Sequence, residues 1–322
     1  MSTQEPAPGT GYAQLQRTPS YAVWQPVLGA VALLLAVFVV ASLVLGITLL
    51  PLAVLVQTAF TGQGFVAAYS DAASLDPVTP AGMLYLNLTL ASGTLVAIAL
   101  TAWVHRLRPG FLTSVAGRVR WRLLGACVGL SVVVLLVSLL VGALLPGANE
   151  TTPSATADGG AWDGTKVALA LVILLTTPLQ AVGEELVFRG YLMQAIGAVT
   201  GTRFGSAVAV VGTALVFALA HGAQNPPLFV DRFAFGLLAG YLVVRTGGLE
   251  AGIALHVLNN IVAFGLALAV GDVTESLTVS SVPWSNIVVT VVQNGLYLVL
   301  VLAVFRRLGL VDRTTRAATV TA

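Results

Sequence analysis

Residues 167–195 read VALALVILLTTPLQAVGEELVFRGYLMQA. The first half of this stretch is almost purely apolar and long enough to enter a bilayer, which takes about 20 apolar residues to cross. Its second half carries Glu184, Glu185 and Arg189 where hydrocarbon is expected. An ionisable side chain at bilayer depth costs at least a few kcal/mol, so it needs a partner or a task. Two further apolar runs repeat the anomaly. One holds Phe217-Ala-Leu-Ala-His221, the other His256-Val-Leu-Asn-Asn260. Acids, imidazoles and an amide on three helices predict one buried polar site.

The rest of the chain sets the frame for that site. Of 322 residues, 57% are hydrophobic and 9% charged, and the mean hydropathy is +0.94. A soluble domain is roughly 25% charged, so the chain is read as an all-α, polytopic membrane helix bundle. Apolar runs predict eight spans, near 27–59, 83–104, 123–145, 167–195, 206–222, 229–245, 249–270 and 285–305. The single cysteine, Cys127, lies in an apolar run and excludes an intrachain disulfide or a cysteine-built zinc site. Residues 1–22, with Pro6, Pro8 and Pro19, are expected to be a disordered cytoplasmic tail, too weakly basic for a signal peptide. Residues 23–165 would carry spans 1–3, 166–264 the motif-bearing core of spans 4–7, and 265–322 the last span and a second cytoplasmic tail.

Charge orients the bundle. Segment 105–122 holds Arg106, Arg108, Arg118, Arg120 and Arg122 with no acid. The C-terminal tail holds Arg306, Arg307, Arg313 and Arg316. Asp71, Asp76, Glu150, Asp158, Asp163, Asp272 and Glu275 fall in the alternate loops. The positive-inside rule then places both termini, together with Arg203 and Arg245, in the cytoplasm. Segment 105–122 is read as a topology-setting loop, and no basic surface extends it toward nucleic acid. His105 is expected to be interfacial, and Asp231 and Arg232 to be a solvated boundary pair.

Within the motifs, spacing separates roles. Glu185 and Arg189 stand four apart in the favourable order for a helical ion pair, a structural pairing. Glu184, about 100° around the helix, has no local partner and suits a general acid or base. His256 and Asn260 share a helix face and could donate to an oxyanion. With Glu184 and His221 they could equally offer metal ligands, although Asn is a poor zinc ligand. Counted from the cytoplasmic ends of their spans, Glu184, His221 and His256 lie roughly 17, 24 and 12 Å deep at 1.5 Å per residue.

These three motifs, in this order, resemble those of the CPBP family of intramembrane proteases, also called the Abi or CAAX protease family: Glu-Glu-x-x-x-Arg, Phe-x-x-x-His and His-x-x-x-Asn. Gly190, Tyr191 and Leu192 continue the first as the family does. The resemblance covers roughly 166–264. It implies a hydrolase of glutamic or metalloendopeptidase type, related to CAAX prenyl endopeptidases. In it Glu184 and His221 activate water, and His256 and Asn260 stabilise the tetrahedral intermediate. It implies a membrane-associated protein or peptide as substrate, prenylated CAAX-like proteins among them, in the lipid bilayer of the cell membrane. The cofactor is either none or a divalent metal such as zinc, held by Glu184, His221 and His256; no His-Glu-x-x-His zinc helix is present, which favours the metal-free mechanism. The competing readings are a non-catalytic membrane scaffold or immunity protein of the same fold, and a proton-coupled transporter built on the buried Glu and His.

Overall fold

A computed structural model describes residues 3–145, 162–201, 204–270 and 273–315. Glu150, Asp158, Arg203, Asp272 and Arg316, used above for orientation, lie outside the described residues. The bundle consists of α1 (Trp24–Thr61), the short α2 (Phe65–Ser74), α3 (Pro80–Trp103), α4 (Trp121–Leu144), α5 (Gly164–Thr200), α6 (Gly205–Ala220), α7 (Pro226–Thr246), α8 (Glu250–Val270), the short α9 (Val273–Leu277) and α10 (Asn286–Arg307). Local chemistry sets several of the starts. Thr79, Asp163 and Asn225 each accept a hydrogen bond from the backbone N–H three residues on, and Pro80 and Pro226 occupy the first helical position, where a missing N–H costs nothing. Gly62 and Gly247 close α1 and α7 in the left-handed conformation.

Seven of the eight expected spans are long and apolar enough to cross a membrane; the eighth, α6, is apolar but spans only 16 residues. That is about 24 Å against a hydrocarbon core of about 30 Å. Large apolar side chains such as Ile47, Leu95 and Leu144 cover the outside of the bundle. All five tryptophans, Trp24, Trp103, Trp121, Trp162 and Trp284, are exposed at or near helix ends, where amphipathic rings suit the membrane interface. The protein is an integral membrane helix bundle.

The arginine-bearing segments gather on one face. Residues 3–22 are not a disordered tail there: they form a folded strap. A 3₁₀ turn at Tyr12–Gln14 is buried, as are Leu15 and Gln16. The Tyr12 hydroxyl donates to the carbonyl of Leu112, Arg17 Nε donates to Ala198 O at 2.7 Å, and Gln4 N donates to Arg106 O at 2.6 Å. The strap runs so close to α5 that a Cβ on Gly197 would lie 2.1 Å from Ala13 O. It also reaches the C-terminal tail, where Gly9 N donates to Thr314 O at 2.8 Å and Thr314 N to Thr10 O at 3.0 Å. Polar, proline-containing composition suggested disorder; the strap instead satisfies its backbone on neighbouring loops and buries its few apolar side chains.

Segment 104–120 is likewise more than a topology loop. Leu107, Phe111, Leu112 and Val115 are buried in the main core. Thr113 and Val115 bond through their backbones to Leu249 and Gly247, covering the α7–α8 turn, in which residues 246–250 are all buried. Arg120 is buried too. It donates from Nε to Glu250 Oε1 at 2.9 Å, from Nη2 to Glu250 Oε2 at 2.7 Å, and from Nη1 to Thr246 O at 2.6 Å. The opposite face joins the alternate loops: Val78 N donates to Thr274 Oγ1 at 2.9 Å and Asn225 N to Ser280 O at 2.7 Å.

Candidate active site

The α5–α6 hairpin brings the first two motifs level. Helix α5 runs to Thr200, five residues beyond the expected end of its span. Glu184 thus lies 16 residues before Thr200, and His221 lies 16 residues after Gly205. Both sit about 24 Å along their helices from the shared turn, which removes the difference in depth that the sequence implied. His256 comes only six residues into α8, yet it reaches the same level because the α7–α8 turn is lifted off the surface and packed under segment 104–120.

The chain passes through a π-helical stretch at Leu186–Leu192, directly after the two glutamates. Such widened turns recur at functional sites because they redirect side chains within one helix. Here both glutamates face α8. His256 Nδ1 lies 2.9 Å from Glu185 Oε1, and its Nε2 lies 3.3 Å from Glu184 Oε2. Both ring nitrogens therefore point at carboxylates, and both contacts are hydrogen bonds only when each shared pair holds a proton. Arg189 Nη1 donates to the same Glu185 Oε1 at 2.8 Å, with both side chains fully buried. Two acids, one arginine and one imidazole form a compact, charge-matched cluster.

Aromatic rings close the cluster. The Arg189 guanidinium carbon lies 4.0 Å from the centroid of Phe217 and 5.4 Å from that of Phe235. The negative ring faces suit a cation there, and Nε and Nη2 of Arg189 have no hydrogen-bond partner. Phe217 and Phe235 also meet His256 edge-on, at 5.8 and 5.2 Å between centroids. On the other side, Gly252 lets α8 approach: a Cβ there would lie 2.8 Å from Glu185 Oε2.

His221 completes the arrangement from the end of α6. Its Nδ1 lies 2.7 Å from the carbonyl oxygen of Phe217. A carbonyl only accepts, so Nδ1 carries a proton, and when the ring is neutral its Nε2 is an acceptor. Its ring packs on Phe217 at 4.6 Å, and it interacts electrostatically with Glu184. Unlike the buried His256, His221 is exposed, together with Gly222 and Ala223. The site is therefore accessible at the end of the short helix.

The structure thus brings Glu184, Glu185, Arg189, His221 and His256 into one cluster. Asn260 takes another partner: its Nδ2 donates to Gln180 Oε1 at 3.2 Å, one turn before Glu184 on α5. The expected convergence of His256 and Asn260 on a common point is replaced by a ring of contacts through Gln180 and the glutamates. Zinc needs three or four ligands, and among the described residues no group of three or more His, Cys, Asp or Glu side chains is placed to hold an ion.

Two other sequence expectations change. His105 is not interfacial: it is fully buried and its Nε2 lies 2.7 Å from the Tyr191 hydroxyl, on the π-helical stretch. It lies beyond the end of α3, and burial pushes its imidazole down to about 4. Asp231 and Arg232 are not a solvated pair. Asp231 accepts from Thr290 of α10, and Arg232 Nη1 donates to Gln224 Oε1 at 3.0 Å. Phe235 and Gln180 gave no signal, since an aromatic in an apolar run looks like packing and a lone glutamine like an interhelical bond.

Residues 166–262 match the family model described as type II CAAX prenyl endopeptidase Rce1-like. The match takes in the three motif segments and leaves out α1–α4 and α10. An uncharacterized protein, YyaK, of Bacillus subtilis (strain 168) is 30% identical over 95 residues, which is 29% of this chain and 32% of that protein. The alignment thus spans about a third of that relative's length. No solved structure matches the chain.

Proposed function

We propose that the protein, whose residues 166–262 match the Rce1-like family model, is an intramembrane endopeptidase of a cell's plasma membrane, with both termini in the cytoplasm. Its substrate is a protein segment held in or against the bilayer. The observation that carries the reading is the pairing of an exposed His221, whose Nε2 is free to accept, with the Glu184 carboxylate at the same depth.

In this reading a water molecule donates one hydrogen bond to Glu184 and one to His221 Nε2. As its oxygen attacks the scissile carbonyl, one of these bases takes the proton, and the other orients the water. The oxyanion that forms takes a hydrogen bond from His256 Nε2–H, and Asn260 Nδ2 joins it by exchanging its 3.2 Å bond to Gln180 Oε1 for the substrate oxygen. The 3.3 Å contact of His256 Nε2 to Glu184 is long for a charge-assisted bond, about 2.7–2.9 Å, so this donor is the looser of the two on the ring. Glu185 and Arg189 hold the other side of His256 and set its orientation. The tetrahedral intermediate collapses as the proton returns to the leaving amine, which microscopic reversibility assigns to the same acid–base pair. No step is routed through a metal.

The deciding test compares protein termini in membranes of cells carrying wild type or Glu184→Gln at equal abundance. Termini that depend on wild type are expected, because losing a positioned acid–base group lowers rates by roughly 10²–10⁴-fold. Identical termini, or biological function surviving the substitution, would overturn the peptidase reading in favour of a non-catalytic scaffold.

A further inference from the structure

A groove opens where the amino end of α4 meets the carboxyl end of α10. It is lined by Arg118, Arg120, Trp121, Arg122, Leu308 and Leu310, among others, and its volume is about 290 Å³, near the lower end of small-ligand sites, roughly 300–1,000 Å³. The three arginines differ in kind. Arg120 is spent: it is buried, and its charge is neutralised by the two-pronged bond to Glu250. Arg118 and Arg122 are exposed and among the described residues form no ion pair. Segment 105–123 contains no acid at all, and Arg306 and Arg307 end α10 just before Leu308.

The surroundings state what kind of anion fits. Trp121, exposed and at the end of a span, is an interfacial residue. Directly below it along α4, Val128, Val132 and Leu136 turn exposed apolar side chains outward, four residues apart and therefore on one stripe. A ligand bridging the groove and this stripe has an anionic head and an apolar tail. A soluble phosphate would use only the head contacts and leave the stripe unexplained.

We propose that this groove binds an anionic phospholipid, with Arg118 and Arg122 holding the phosphate and the α4 stripe carrying an acyl chain. The site is separate from the peptidase chemistry and stands whether or not that reading does. It is nonetheless wired to the same helix, because Arg120 forms part of the groove wall and clamps Glu250, the first residue of α8, six residues before His256.

The test uses the purified full-length chain in neutral detergent, with thermal unfolding followed as phosphatidylglycerol, phosphatidylcholine or inorganic phosphate is added. Phosphatidylglycerol is expected to raise the midpoint saturably, and the other two are not. At about 1 kcal/mol per basic residue near an anionic surface, the pair Arg118→Gln with Arg122→Gln should weaken half-saturation roughly thirtyfold. Arg108→Gln with Arg245→Gln removes the same charge elsewhere and should leave it unchanged. If the glutamine pair does not fold, Arg118→Lys with Arg122→Lys keeps the charge but loses the two-pronged hydrogen bonding, and lipid retained in native mass spectra should fall relative to wild type. An equal response to phosphatidylcholine, a response to phosphate alone, or an unchanged response in the arginine variants overturns the proposal.

Discussion

Among the described residues two arginines are buried with a glutamate partner, and they are built to opposite standards. Arg120 crosses 130 residues of sequence to Glu250 and engages Nε, Nη1 and Nη2 with the carboxylate and with Thr246 O. Arg189 binds Glu185 within one helical turn through Nη1 alone, leaves Nε and Nη2 against aromatic rings, and shares its acceptor oxygen with His256. A saturated pair of the first kind ties two segments together. An undersatisfied one of the second kind holds charge ready to be redistributed, which is where natural proteins relax the rule that buried polar groups be satisfied. In the proposed reading the difference separates clamp from chemistry without reference to any motif.

Breaking either pair on one side should have the largest effect. Glu250→Ala and Arg189→Ala each strand a buried charge and should cost about 3–5 kcal/mol, seen as lost folded protein and a lowered thermal midpoint in detergent. Normal abundance of Arg189→Ala with activity gone would show that Arg189 supports chemistry and not folding. Replacing both partners sharpens the contrast. Arg120→Met with Glu250→Leu should recover most of the stability and retain cleavage. Arg189→Met with Glu185→Leu should recover folding but leave cleavage down roughly a hundredfold or more, because His256 loses the carboxylate on Nδ1. Recovery of cleavage in the second double variant would reduce the two pairs to the same kind.

Smaller changes probe the neighbourhood of each pair. Gly252→Ala places a methyl 2.8 Å from Glu185 Oε2, so it should lower activity while the Arg120 clamp keeps the protein folded; unchanged activity would mean the carboxylate has room to move. The mildest test is pH. His105 is held near 4 by burial, below its unfolded value of about 6.5. As pH falls from about 6.5 toward 4, the unfolded chain takes up a proton the folded one refuses, so stability declines across that window and is full above it. His105→Gln removes that slope; an unaltered slope would assign the pH response to other groups.

What could be read from the sequence follows from contrast. In a chain of apolar helices, Glu184, Glu185, His221 and His256 stand out because each is costly where it lies, and cost is visible without a partner. Phe217 was visible only through its spacing to His221. Phe235 plays the same structural part from α7 and was invisible, since one more ring in an apolar run carries no penalty. The Arg120–Glu250 clamp was hidden by distance along the chain: Arg120 read as one of five loop arginines. The level of His221 and Glu184 depended on a helix end misplaced by five residues. The strap was misread because composition reports average polarity, whereas Tyr12, Leu15 and Gln16 are buried one by one in places that other loops supply.

The strap sets an order on the making of the molecule. Thr10 and Thr314 are partners 304 residues apart, and α5, α6 and the 104–120 loop also wait for residues 4–17. Residues 4–17 therefore have no complete berth until Thr314 has been synthesised, and contacts so distant along a chain form late and slowly. This face of the bundle is thus sealed only after the helices between have been made, and a chain cut short before Thr314 leaves Gly9 and Thr10 without that partner.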